Sequence, residues 1–258
     1  MLEAILAHKR TEVEEAKRRQ SVKTLEEKVA RPDPPRSLLQ AITGVGGPTH
    51  RIIAEIKRAS PSKGVLRQGL DPLDWAERYE RAGAIGLSVL TETRYFKGSL
   101  DDLIRIRDHV ELPLLRKDFL IDPYQVLEAR VCGADVVLLI MRVLDDAQFV
   151  DLLRLAGDLG MEALVEVHDE RDLDRALIEG SRLVGINNRD LSNFTVDLSV
   201  TERLMMRIPS DVVVVSASGI QAPEQVRSLE SKGVKAFLVG EALVTATAPE
   251  EMLRELVT

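Results

Sequence analysis

The sequence predicts an α/β fold, a closed (β/α)8 TIM barrel with an N-terminal helical extension, on three observations. Eight short apolar runs recur from residue 50 onward. Helical patterns with their own start and stop residues separate those runs. No G-x-G-x-x-G follows the first run, which speaks against a dinucleotide-binding sheet. Strands that alternate with helices run parallel, because parallel neighbours need a crossover connection. Six such units would suit an open doubly wound sheet, whereas eight within about 250 residues suit a closed barrel.

Residues 1–48 are expected to form the extension of a single barrel domain spanning 1–258. Leu2, Ile5, Leu6, Val13 and Ala16 recur at helical spacing, and Glu14/Arg18 and Glu15/Arg19 are favourable i,i+4 pairs. "RPDPPRS" (31–37) breaks that helix, and Ser37 with Gln40 reads as the capping box of a short one. The expected strands follow as "IIAEIK" (52–57), "IGLSVL" (85–90), "PLLRKDF" (113–119) and "DVVLLI" (135–140). The second four are "EALVEV" (162–167), "RLVGINN" (182–188), "DVVVVSAS" (211–218) and "KAFLVG" (235–240). Between them, Asp71-Pro72 and Asp122-Pro123 each set a capping carboxylate before a proline suited to the first helical position. Ser99 to Asp102 gives a second capping box. Gly83, Gly133, Gly160, Gly180 and Gly233 each precede the next apolar run, where a helix C-cap belongs.

Composition narrows the function classes. The 258 residues are 45% hydrophobic and 30% charged, ordinary for a globular chain, and a net charge of -7 argues against a general nucleic-acid surface. The single Cys132 has no disulfide partner and reads as a buried, inert thiol in a reducing compartment. Charges run throughout the first nineteen residues, and no later segment is apolar for long enough to cross a bilayer. A cytoplasmic protein without membrane or nucleic-acid partners, monomeric or weakly homo-oligomeric, is expected.

In a barrel the functional residues belong at the C-terminal ends of the strands. Those ends carry Glu55 and Lys57, Lys117 and Asp118, Glu166, Asn187-Asn188-Arg189-Asp190, Ser216-Ala217-Ser218-Gly219 and Gly240-Glu241. One such charge alone would be a solvated loop residue. Recurring on several strands, they converge on one mouth and must pair with each other or with a ligand. Glu55 and Lys57, two apart in a strand, share a face. Gly219 and Gly240 leave room for close backbone approach after strands 7 and 8, where barrels often bind phosphate, so a phosphorylated small molecule is the expected partner. The histidines, His8, His50, His109 and His168, share no ligand spacing and read as surface or loop residues, and no metal site is expected. Lys with Glu, and no G-x-S-x-G elbow, suggests proton transfer between a desolvated lysine acid and a glutamate base.

Six stretches, "IIAEIKRASPSKG", "LSVLTETRYFKGS", "PLLRKDFLIDPYQ", "EALVEVHDE", "GINNRDL" and "FLVGEAL", resemble the indole-3-glycerol phosphate synthases in order and over nearly the whole chain. The resemblance implies decarboxylating ring closure of 1-(2-carboxyphenylamino)-1-deoxyribulose 5-phosphate, a carboxy-lyase step of tryptophan biosynthesis. It implies Lys117 as the acid that protonates the ribulose carbonyl oxygen and Glu166 as the base of the dehydration. Lys57 would hold the substrate carboxylate, while Glu55 and Asn187 orient these groups and the ribulosyl hydroxyls. Arg189 would lie near the anthranilate carboxylate, and Ser218, Gly219, Gly240 and Glu241 would hold the phosphate. Many members have serine where Glu241 stands, a change that leaves a backbone donor. Ser60 in the "ASPSKG" loop and Phe119 in "KDF" complete the implied substrate-binding set. The N-terminal helix would cover the mouth. No cofactor is implied, because the substrate's own iminium character is the electron sink.

One position departs from the family. Its strand 7 reads E-S-G, and here Ala217 stands in place of the glutamate, on the face of Val213 and Val215. Reduced activity is the expectation. The residues leave open a Schiff-base aldolase or lyase using Lys117 or Lys57 on the same barrel, and a catalytically weak sugar-phosphate-binding protein. A phosphoribosyl anthranilate isomerase would share the barrel, but the paired Lys117/Glu166 context matches the synthases.

Overall fold

The computed structural model describes residues 1–29, 33–191 and 193–258. Eight strands form the barrel: β1 (Ile52–Ile56), β2 (Gly86–Leu90), β3 (Leu114–Lys117), β4 (Val136–Ile140), β5 (Glu162–Val167), β6 (Leu183–Asn187), β7 (Val213–Ala217) and β8 (Ala236–Val239). Each pairs in parallel with its neighbour in sequence, and β1 closes the ring by pairing with both β2 and β8. The expected strands thus all form: β5 has the expected bounds, and the other seven are shorter by one to three residues where their flanks turn into loops.

Strand alternation sorts the side chains into two cores. Ile53, Leu115, Leu138, Leu164, Val215 and Leu238 fill the barrel, while Ile52, Leu87, Val137, Val165, Val184 and Phe237 pack outward under the helices. Both faces are therefore apolar, as a fully covered parallel sheet requires. Burying one such side chain contributes about 1.5–3 kcal/mol. On the inner face the pattern changes at the C-terminal ends, where Glu55, Lys117, Glu166 and Asn187 occupy the inward positions.

The surrounding helices are α4 (Pro72–Arg81), α5 (Leu100–Arg107), α6 (Pro123–Val131), α7 (Asp146–Asp158), α8 (Glu170–Ile178), α9 (Ser199–Met205), α10 (Pro223–Glu230), α11 (Glu241–Thr245) and α12 (Pro249–Val257), preceded by α1 (Leu2–Arg19), α2 (Val22–Lys28) and α3 (Leu38–Thr43). Asp71 and Asp122 cap α4 and α6 ahead of a proline in the first turn. The five stop glycines all have positive φ, a left-handed turn that a β-carbon would strain. Ser99 caps α5 through the Asp101 N–H, but the expected reciprocal bond from Asp102 is replaced by a fork to Arg58 at 2.5 and 3.0 Å. The charge-assisted pair outcompetes a backbone N–H that solvent can satisfy.

The extension closes both ends of the barrel. At the N-terminal end, Leu38 and Ile42 of α3 join the inner core, and Glu162 at the start of β5 accepts from Ser37 Oγ (2.5 Å) and Leu39 N (2.9 Å). Ser37 also caps α3 by accepting from Gln40 N at 3.0 Å. Of the proposed break at 31–37, Arg31 and Pro32 lie outside the described residues. At the other end α1 crosses the mouth with Ile5 buried, then runs beside α6, where Val13 packs on Tyr124 and Leu127. Glu15 pairs with Arg19 as expected, whereas Glu14 lies 3.5 Å from Lys17. Cys132 is only partly buried, and desolvation pushes its thiol up to about 11.

Candidate active site

A cavity of about 810 Å³ opens at the C-terminal end of the barrel. All the residues expected of the site line it: Glu55, Lys57, Ser60, Lys117, Phe119, Glu166, Asn187, Arg189, Ala217, Ser218, Gly219, Gly240 and Glu241. Its polar floor comes from strand ends and its apolar walls from Leu138, Ile140 and Leu238 of the barrel, Phe96, and Leu2 and Ile5 of α1. Such walls exclude water and strengthen every electrostatic interaction on the floor.

Two ion pairs organise the floor. Lys57 Nζ lies 2.6 Å from Glu55 Oε1, and Ser88 Oγ is 3.5 Å from Glu55 Oε2. Lys117 Nζ lies 3.6 Å from Glu166 Oε2, and Asn187 donates to Glu166 Oε1 at 3.1 Å. Burial by itself would raise the Glu55 carboxyl, but the charges of Lys57 and Lys117 outweigh it and hold Glu55 below its ordinary value. Burial would likewise lower Lys117, yet Glu166 and Glu55 keep its ammonium form favoured and its pKa raised. A partly buried ammonium beside a buried carboxylate, facing an apolar-walled cavity, is the arrangement that donates one proton and accepts another.

The phosphate-side residues are arranged differently from expectation in one respect. Gly240 is small because of Glu55: a β-carbon there would sit 2.4 Å from Glu55 Oε1. Gly219 has φ 89°, and Ser218, with φ 66°, holds the left-handed conformation that a non-glycine residue rarely adopts. That turn is pinned by Asn188, whose Nδ2 donates to the carbonyls of Ala217 (3.0 Å) and Ser218 (3.1 Å). Glu241 does more than offer a backbone N–H. Its carboxylate lies 2.6 Å from Lys63 Nζ and 3.2 Å from Arg189 Nη2, tying the loop after β1 to the loop after β6. That loop after β1 contains a small hairpin, Ala59–Ser60 with Gly64–Val65, whose tip reaches the cavity.

Some strand-end charges leave the site. Asp118 follows Lys117 and so points outward, where it meets Lys9 Nζ at 2.8 Å, Thr91 Oγ1 at 2.7 Å and Arg116 Nη2 at 3.3 Å. This buried cluster fastens α1 over the mouth. Nothing in the sequence marks Lys9 as its partner, because the two are more than a hundred residues apart. His50 and His168 lie in loops, as read from the sequence, but both are buried rather than solvent-facing. His8, Glu12 and Glu92 approach one another closely enough to share an ion. Their carboxylates are nevertheless occupied by protein donors, Glu12 by Lys9 and Glu92 by the N–H groups of Arg94, Tyr95 and Phe96.

Comparison with known proteins agrees with this geometry. The family model described as indole-3-glycerol phosphate synthase matches residues 2–256. The indole-3-glycerol phosphate synthase of Acetivibrio thermocellus is 45% identical over 257 residues, covering 99% of this chain and 98% of the relative. That of Roseiflexus castenholzii is 49% identical over 270 residues, covering 99% and 97%. Among solved structures, the thiamine phosphate pyrophosphorylase of Pyrococcus furiosus superposes with a TM-score of 0.61 at 15% identity, covering 81% of this chain and 93% of that one, a likeness of fold alone. With the family model matched over residues 2–256 and relatives 45–49% identical over 99% of its length, the chain belongs to the indole-3-glycerol phosphate synthase family.

Proposed function

We propose that the protein catalyses the decarboxylating ring closure of 1-(2-carboxyphenylamino)-1-deoxyribulose 5-phosphate to indole-3-glycerol phosphate. The observation that carries the reading is the Lys117–Glu166 pair, 3.6 Å apart on the cavity floor. In the first step the ring carbon bearing the carboxylate bonds to the ribulose carbonyl carbon. The amine nitrogen supplies electrons and becomes an iminium, while Lys117 gives a proton to the carbonyl oxygen. The bond to the carboxylate then breaks, CO2 leaves, and its electron pair restores the aromatic ring. In the last step the new hydroxyl leaves as water with a second proton, and Glu166 takes the proton from the neighbouring carbon to complete the indole.

Lys57, held by Glu55, is placed in this reading to counter the substrate carboxylate until CO2 departs. Asn187 orients Glu166, and Arg189 faces the anthranilate end. Ser218 and the backbone of Gly219, Gly240 and Glu241 take the phosphate, with Ser60 and Phe119 enclosing the sugar and the ring. Schiff-base chemistry would need a neutral amine. The acids beside Lys117 favour its ammonium form, which supports proton donation instead. Ala217, lacking the family's carboxylate, lowers the rate without abolishing it, since each lysine of the floor already has its own glutamate.

Product analysis tests this directly. Incubation with the carboxyphenylamino-deoxyribulose phosphate is expected to release one CO2 per indole formed, with no adduct trapped by borohydride. A borohydride-trapped adduct on Lys57 or Lys117 would instead favour the lyase, and ligand binding without CO2 the binding protein.

A further inference from the structure

His168 stands immediately after β5 and two residues beyond Glu166, so the two share a strand face. Yet its ring turns away from the cavity, and its side chain is 3% exposed. Nε2 lies 3.3 Å from Glu166 Oε1 and Nδ1 lies 3.6 Å from Asp172 Oδ2. Neither nitrogen has a hydrogen-bond partner among the described residues. A buried imidazole left so is uncommon, and catalytic hydrogen bonds often tighten only once substrate is bound.

The surroundings decide which way such a bond forms. Both neighbours of the ring are carboxylates, which only accept when ionised, so the ring's one N–H must go to one of them. Asp172 on α8 is already flanked by Arg142 Nε at 3.8 Å and Arg175 Nη1 at 4.0 Å, and its Oδ2 takes the His168 backbone N–H at 3.2 Å. Glu166 faces Lys117 through Oε2, and Oε1 has Asn187 on one side with the imidazole on the other. With Asp172 supplied by two arginines, the stronger demand for the imidazole proton comes from Glu166.

We infer that His168 is a positioning residue for Glu166: its Nε2–H holds the carboxylate from behind, and the other carboxylate edge faces the cavity. This rests on the role of Glu166 proposed above. It deepens that role by naming the donor that keeps the base fixed.

Two variants and one spectroscopic measurement test it. His168→Phe fills the space without a donor, and His168→Gln keeps an N–H near the Nε2 position. The Phe variant is expected to lose kcat roughly tenfold to hundredfold, less than removal of a group that itself transfers the proton. KM should stay nearly constant, because the ring does not line the cavity. Gln should recover most of the rate. Unchanged kcat in the Phe variant, or equal losses in both variants tracking a lower Tm, would overturn the inference. The ring-nitrogen NMR resonances of His168 should also move in Glu166→Gln. That readout needs no turnover, so it tests the contact even if wild type proves inactive and the functional reading itself fails. Resonances that do not respond to Glu166→Gln would refute the contact.

Discussion

Glu55 is the residue on which the floor of the site turns. It balances Lys57, lies close enough to Lys117 to be held below its ordinary value, and leaves no room for a β-carbon at position 240. Gly240→Ala should therefore act on Glu55 before it acts on any phosphate. We expect kcat/KM to fall about tenfold or more, with loss of an acid/base-positioning group as the cause, and steady-state kinetics at saturating and limiting substrate measures it. An unaffected kcat with only a raised KM would return Gly240 to the phosphate site. Ala217 makes the opposite experiment available. Restoring the carboxylate in Ala217→Glu should raise kcat by at least about tenfold; an unchanged rate would mean that Glu55 and Glu166 already suffice. Period-two alternation was enough to put Glu55, Lys57 and Ala217 on the inner face from the sequence. Neither the left-handed Ser218 nor the His168–Glu166 contact was legible there, because the first depends on a loop held by Asn188 and the second on how a ring turns.

At the scale of elements, α1 is the part whose position matters most to the chemistry. Leu2 and Ile5 wall the cavity, and the helix is fastened by Lys9 to Asp118, by Lys17 to Asp122 at 2.7 Å, and by the Tyr124 hydroxyl to the Ala16 carbonyl at 3.0 Å. Lys9→Met would leave Asp118 to Arg116, Thr91 and the Phe119 N–H. A cost of about 1–3 kcal/mol is expected from the lost charge-assisted bond. Hydrogen exchange should quicken in α1 while the barrel strands stay protected; equal quickening throughout would mean the pair serves global stability only. The same pair predicts a pH dependence. Burial would raise Asp118, but Lys9 and Arg116 outweigh it and hold it below its ordinary value of 3.8. Its contribution is thus fully present above that value and is lost as pH falls through the lowered one. Burial would lower Lys9, but Asp118 and Glu12 raise it above 10.5, so its contribution holds below that pH and is lost as pH rises through the raised value. Protection of α1 should therefore form a plateau between those limits. The helix itself was plain from its spacing, and its caps and stops were plain elsewhere. Its anchor was not, since an ion pair between distant residues leaves no local mark.

For the whole molecule, the barrel converts eight unremarkable strand ends into one charged floor under an apolar lid. The closed order of strands followed from counting apolar runs, and the family's motifs fell on those strand ends. The plug formed by α3 on Glu162 was beyond sequence, because a glutamate at a strand start that accepts from a distant helix looks like any solvated one. The central claim is that Lys117, kept as an ammonium by Glu166 and Glu55, protonates the carbonyl as the ring closes. Single-turnover indole fluorescence with wild type and Lys117→Met, alongside substrate binding measured by calorimetry, tests it most directly. The account predicts binding within a few-fold of wild type and a rate lower by about 10²- to 10⁴-fold in the variant. A Lys117→Met protein that closes the ring at the wild-type rate would contradict it.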